Sequence, residues 1–228
     1  MKFSFLYPAS TSRLMTKETM ADQAANTRGT ERLEAFSDGV FAIAITLLIL
    51  DIHVPDFKEN ETLMHSLSHE WPSIIALLIG FFTILICWIN HHYMFTMIRQ
   101  SNSKLLFING FKLLIVTITP FATALLSRHM ETGWGPSAIT TYAFNFALMG
   151  IAMTCVWCYA HFMGFTKGTS TEVLTATTRL YIFASLFSIT IVIVSYFSIA
   201  AWLILFFIMF LIFVFPEKIV AWQLERRP

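Results

Sequence analysis

Arg32, Ser37 and Asp38 stand at the start of an apolar run, Gly39 to Leu50, so a guanidinium, a hydroxyl and a carboxylate are set at the mouth of one apolar helix. A charge at a bilayer centre costs roughly 2.5–3.5 kcal/mol on insertion scales, so a carboxylate kept there is paired inside a bundle or lines a pathway. Asn90, His91 and His92 interrupt a second apolar run, and Lys112 interrupts a third. These residue types suit two chemistries: an interhelical hydrogen-bond network, or a proton relay through Asp38, His91, His92 and Lys112. Cys87 lies one turn before His91, but no carboxylate or third imidazole accompanies them, so a satisfied core network is preferred to a metal site. Cys155 and Cys158 have CxxC spacing within an apolar run and read as packing. His65 and His69 have the i, i+4 spacing of a surface divalent site, which stays open. Asp51 either joins an acidic ring that concentrates cations or is a helix-end residue in contact with water.

The elements that must position these groups are membrane helices. Of the 228 residues, 56% are hydrophobic and 13% charged, where a soluble domain carries about a quarter charged. The chain is therefore read as a polytopic, all-α integral membrane protein, and nucleic-acid binding is excluded. Neither HExxH nor GxSxG is present and no cofactor motif is found, so an enzyme is not expected. The stretch Met1 to Pro8 is too short for a signal peptide and no small-residue cleavage site follows, so it is expected to be retained.

With about 20 apolar residues needed per span, six helices are expected, over 33–52, 72–97, 104–127, 137–164, 178–195 and 198–216. The last two share one apolar run and must be divided by a short turn near Ser195-Tyr-Phe-Ser198. Residues 1–30 read as a mobile cytoplasmic segment, 31–217 as one six-helix domain and 218–228 as a short cytoplasmic tail. Lys and Arg accumulate on one side: five up to Arg32, then Arg99, Lys104, Lys167, Arg179, Lys218, Arg226 and Arg227. The other side holds Lys58 and Arg128, so both termini are placed in the cytoplasm.

Depth follows from a rise of about 1.5 Å per residue. Asp38 lies about 9 Å above Arg32, and His91 and His92 lie about 11–12 Å above Arg99 on the returning helix. Asn90, His91 and His92 are therefore expected to reach Ser37 or Asp38, with Lys112 at the same level. At 100° per residue, Gly39, Ile43, Thr46, Leu47 and Leu50 form one stripe, from which Ser37 and Asp38 point away. The polar cluster clamps the first helix to the second and third; the stripe is a surface for close helix approach.

Arg32-x-x-x-Phe36-Ser37-Asp38, continuing Gly-Val-Phe-Ala-Ile-Ala-Ile-Thr, resembles the RxxxFSD signature of the lysosomal and endosomal potassium-channel family. Trp88-x-x-His91-His92-x-x-Phe95 is similar to the same family's second helix. Animal members carry two six-helix repeats per chain, and a single repeat resembles a prokaryotic member. The resemblance implies a homotetramer in the bacterial inner membrane whose four first helices line a pore without a TVGYG filter. It implies pore positions at Ile43, Thr46 and Leu50, on the stripe that the helical wheel finds independently. It also places Arg32, Ser37 and Asp38, with His91 and His92, in an interhelical polar network rather than an ion site. The expected function is a potassium-permeable cation channel that passes other monovalent cations less well; the rival is a proton-coupled transporter using the buried relay.

Overall fold

The computed structural model describes residues 30–51, 62, 64 and 70–225. The N-terminal segment before Thr30, the pair His65 and His69, and the basic residues Arg226 and Arg227 lie outside the described residues.

Every described element is helical. Helix α1 covers 30–47 and tightens into a 3₁₀ turn over Leu48–Asp51. It is followed by α2 (Trp71–Met97), α3 (Ser103–His129), α4 (Gly135–Phe162), α5 (Thr171–Ser195), α6 (Ile199–Phe213) and α7 (Pro216–Glu225). The first five are long and apolar enough to cross a membrane. Helix ends are set by local chemistry. Asn102 caps α3 by accepting from the Leu105 N–H at 2.8 Å, and Ser170 and Ser198 cap α5 and α6 in the same way. Pro72 and Pro136 occupy the first turns of α2 and α4, where a missing N–H costs nothing.

The long apolar run divides at Tyr196 and Phe197, between the end of α5 and the Ser198 cap, the place anticipated for the turn. The sixth span differs from expectation. Helix α6 has 15 residues, about 22 Å at the α-helical rise and short of a hydrocarbon core of about 30 Å. A bend of 75° then leads into α7. Pro216 explains the break, because it has no N–H to extend α6 and restricts the residue before it. Helices α6 and α7 are long and apolar enough for one span only when taken together across this bend, and 216–225 forms a helix that buries Pro216 and Val220.

Two apolar clusters hold the bundle. Phe41, Ala44 and Leu48 of α1 meet Ile84 and Met94 of α2, Leu113 of α3 and Val156 of α4. Tyr142 of α4, Leu180 and Ile191 of α5, and Trp202 and Phe206 of α6 form the other. Polar contacts knit α4 to α5: Thr154 shares a hydroxyl contact with Ser185 at 2.7 Å, and Trp157 Nε1 donates to Thr178 at 2.9 Å. Where α2, α3 and the end of α1 converge, Gly80 is needed for close approach. A Cβ there would sit 2.7 Å from Thr123 Oγ1 and 3.0 Å from Leu48 Cδ2.

Candidate ion pathway

Helix α1 has two faces of different character. Leu33, Ser37, Phe41, Ala44 and Leu48, spaced by three or four residues, are buried against the bundle. On the other side Ile43 is 61% and Leu50 73% exposed, and Gly39, Thr46 and Leu47 are exposed with them. All five stripe residues anticipated from periodicity therefore lie together and uncovered in the single chain. A Cβ built on Gly39 meets nothing within 4 Å. The Thr46 hydroxyl donates to the Ile43 carbonyl at 2.9 Å, which commits its proton to the backbone and leaves its oxygen lone pairs on the exposed face.

The buried face carries the polar anchor. Asn109 Nδ2 on α3 donates to Ser37 Oγ at 3.0 Å, and Ser37 Oγ donates to the Leu33 carbonyl at 2.8 Å. Trp88 Nε1 on α2 donates to Asp38 Oδ1 at 2.8 Å. A hydrogen bond to a carboxylate is worth about 1.5–3 kcal/mol, more than one between neutral groups. His92 Nδ1 lies 3.0 Å from Glu34 Oε1, with the imidazole half exposed, so this pair adds little. Lys112 Nζ lies 2.8 Å from His91 Nδ1 and 5.2 Å from the Phe41 ring centroid; both Lys112 and His91 are fully buried. The His91 ring packs on Phe95 at 4.4 Å and Phe41 at 5.4 Å.

The polar residues anticipated for this level are brought to the same three helices, but their pairing differs. His91 and His92 do not bond Ser37 or Asp38; those two are served by Asn109 and Trp88. Asn90 turns the other way, donating to the carbonyls of Ile86 and of Phe213 at the C-terminal end of α6. One turn along a helix is four residues, so Trp88 and His92 share the face toward α1, while Asn90 lies about 200° around from Trp88. Arg32 is exposed, and among the described residues it makes no hydrogen bond with the rest of this group. Trp88, Asn109 and Glu34 were not singled out by residue type. The signal that points to two of them is spacing: Glu34 and Asp38 are four apart, as are their partners His92 and Trp88.

Asp38, His92 and Lys112 each contact a different partner, and Lys112 with His91 is the one pair of the four in contact among the described residues. No group of three or more His, Cys, Asp or Glu able to hold a metal occurs among the described residues. Cys155 is exposed on α4 and Cys158 is half-buried.

A family profile described as endosomal/lysosomal potassium channel TMEM175 matches residues 32–120, which span α1, the anchor and most of α3. A protein of Chamaesiphon minutus named a potassium channel is 44% identical over 133 residues, 58% of this chain and 66% of that relative. Another of that name from Streptomyces collinus is 41% identical over 127 residues, 55% of this chain and 62% of its own length. The chain thus spans somewhat less than two thirds of these bacterial relatives. The human protein named endosomal/lysosomal proton channel TMEM175 is 39% identical over 100 residues, 40% of this chain and 20% of that protein. The crystal structure of a lysosomal potassium-selective channel TMEM175 homologue from Chamaesiphon minutus superposes with a TM-score of 0.74 at 36% identity, covering 82% of this chain and 96% of that one.

Proposed function

This chain belongs to the TMEM175 family of ion channels, and on that footing we propose that it is a potassium-permeable channel of a bacterial inner membrane, assembled as a homotetramer around four copies of α1. The observation that carries this reading is the uncovered stripe: Ile43 is 61% and Leu50 73% exposed, while Leu33, Ser37, Phe41, Ala44 and Leu48 on the opposite face are buried. A purely lipid-facing surface has no need of Gly39 and Thr46 in the same row. The outward face of α5, by contrast, is built from Ile182, Phe183, Leu186, Ile189 and Ile193.

In the tetramer four Ile43 side chains ring a constriction that excludes water, with Leu50 forming a second apolar level and the Thr46 oxygens between them. Such a constriction gates by dewetting and penalises an ion that must shed water. Potassium sheds water more readily than sodium, so preference arises without a carbonyl cage, and other monovalent cations pass less well. The Thr46 oxygens, with their protons held by the Ile43 carbonyls, are free to replace part of the lost hydration. Ser37, Asp38, His91 and His92 hold α1 in register against α2 and α3 and stay off the axis; Arg32 sits at the mouth of the same helix.

The test is ion flux through purified protein in liposomes. A potassium gradient alone should drive flux faster than an equal sodium gradient. Flux strictly coupled to a counter-transported proton would instead support the carrier reading.

A further inference from the structure

Phe36 stands inside the sequence Arg32-x-x-x-Phe36-Ser37-Asp38, yet neither the polar anchor nor the Ile43 constriction uses it. Its neighbour Ser37 is fully buried, whereas Phe36 is 64% exposed, the most open large apolar side chain of α1 after Leu50. The other phenylalanine of this helix has the opposite environment. Phe41 is buried, with the His91 ring at 5.4 Å and Lys112 Nζ 5.2 Å from its centroid. Among the described residues no ring or cation contact covers Phe36.

The rotation of Phe36 about the helix axis follows from counting. Residues 30–47 form one unbroken α-helix, and the seven residues from Phe36 to Ile43 turn it through about 700°, some 20° short of two full turns. Two side chains so close in angle on one helix share what they face. At about 1.5 Å per residue, Phe36 lies about 10 Å toward the cytoplasmic end from Ile43. Its exposed neighbours Ala35 and Gly39 are small, so its ring is not screened by its own helix. Arg32 continues the stripe one turn further out; its long stem lets the guanidinium turn to water, and Glu31 and Glu34 beside it offset its charge.

We infer that Phe36 is a specificity-determining residue of the ion pathway: four phenyl rings, one from each copy, form a cation-attracting ring that gathers potassium at the cytoplasmic entrance, ahead of the Ile43 constriction. The inference rests on the pore reading above and deepens it. An aliphatic side chain would supply the same apolar wall, but only an aromatic face carries the negative quadrupole that draws a cation to within about 6 Å of its centre. Potassium gives up water to such a face more readily than sodium, so the ring acts more strongly on potassium.

The test is single-channel conductance of the full chain in planar bilayers, read across a series of symmetrical potassium concentrations and again in sodium. Phe36→Leu should raise the half-saturating potassium concentration about threefold, the scale of a cation–π contribution at an exposed site, with the limiting conductance little changed and the sodium curve moved less. Phe36→Tyr keeps the aromatic face and should keep the wild-type curve, as should Phe107→Leu, which removes a ring 79% exposed on α3. If Phe36→Leu does not assemble, Phe36→Met takes its place. An unchanged half-saturation in the aliphatic variant, or a shift equally large in Phe36→Tyr or Phe107→Leu, would overturn the inference while leaving the pore reading intact. Failure of both aliphatic variants to form the oligomer, with Phe36→Tyr assembling, would make the ring a contact between copies and overturn it too. Absence of channel events in the wild type would overturn the pore reading and this inference with it.

Discussion

Trp88 Nε1 donates to Asp38 Oδ1 at 2.8 Å across the contact of α1 with α2, and one turn along both helices His92 meets Glu34 at 3.0 Å. The helices are antiparallel, so four residues toward the start of α1 match four residues toward the end of α2. Asn109 to Ser37 and Lys112 over Phe41 repeat the registration against α3, which runs parallel to α1. This lattice of contacts sets which face of α1 is left uncovered.

Trp88→Phe keeps the ring's bulk while deleting the donor to Asp38, and Asp38→Ala deletes the acceptor. Each is expected to lower stability by about 1–3 kcal/mol and to reduce the fraction of assembled oligomer in size-exclusion chromatography. Channels that do assemble should keep the wild-type potassium-to-sodium preference. Normal assembly with an altered preference would place Asp38 in the pathway.

The anchor was only partly legible in the residue types. Depth counting from Arg32, Arg99 and Lys104 brings Ser37, Asp38, His91 and Lys112 to one level, because helical rise is nearly constant. It says nothing about rotation around each axis, which decides that Trp88 rather than His91 faces Asp38. A tryptophan and an asparagine in apolar runs, Trp88 and Asn109, read as packing until the facing helix is known. The bend after α6 was hidden in an apolar run that continues past Phe213; Pro216 was its one local sign. The stripe of α1 was legible in full, since it depends on one helix's period alone.

Among the described residues, Lys112 and His91 form a buried pair with no carboxylate in contact. His91→Phe alone leaves the Lys112 amine without this acceptor and is expected to cost about 1.5–3 kcal/mol, the scale of one hydrogen bond to a charged group. The double variant His91→Phe/Lys112→Met replaces both with apolar groups and should recover most of that loss in a thermal unfolding series. It should also conduct potassium. A folded double variant without flux would revive the relay.

Gly80→Val should be poorly tolerated, because even a Cβ at this position meets Thr123 Oγ1 at 2.7 Å and Leu48 Cδ2 at 3.0 Å. The expected loss is about 1–3 kcal/mol, typical of overpacking, read as a lower unfolding temperature in detergent. Gly39→Ala, with nothing within 4 Å in the single chain, should leave that temperature almost unchanged while weakening the tetramer. Equal behaviour of the two variants would contradict the assignment of the α1 stripe to contacts between copies.

The most direct test of the pore assignment is the paired potassium and sodium flux of Ile43→Asn, reconstituted at tetramer amounts matched to wild type. An amide ring at this level admits water, so neither ion must shed as much of its shell. Both fluxes should rise, and their ratio should fall toward one. If the tetramer carrying Ile43→Asn keeps wild-type flux and ion preference, Ile43 does not line the pathway, and the placement of Thr46 and Leu50 beside it fails as well.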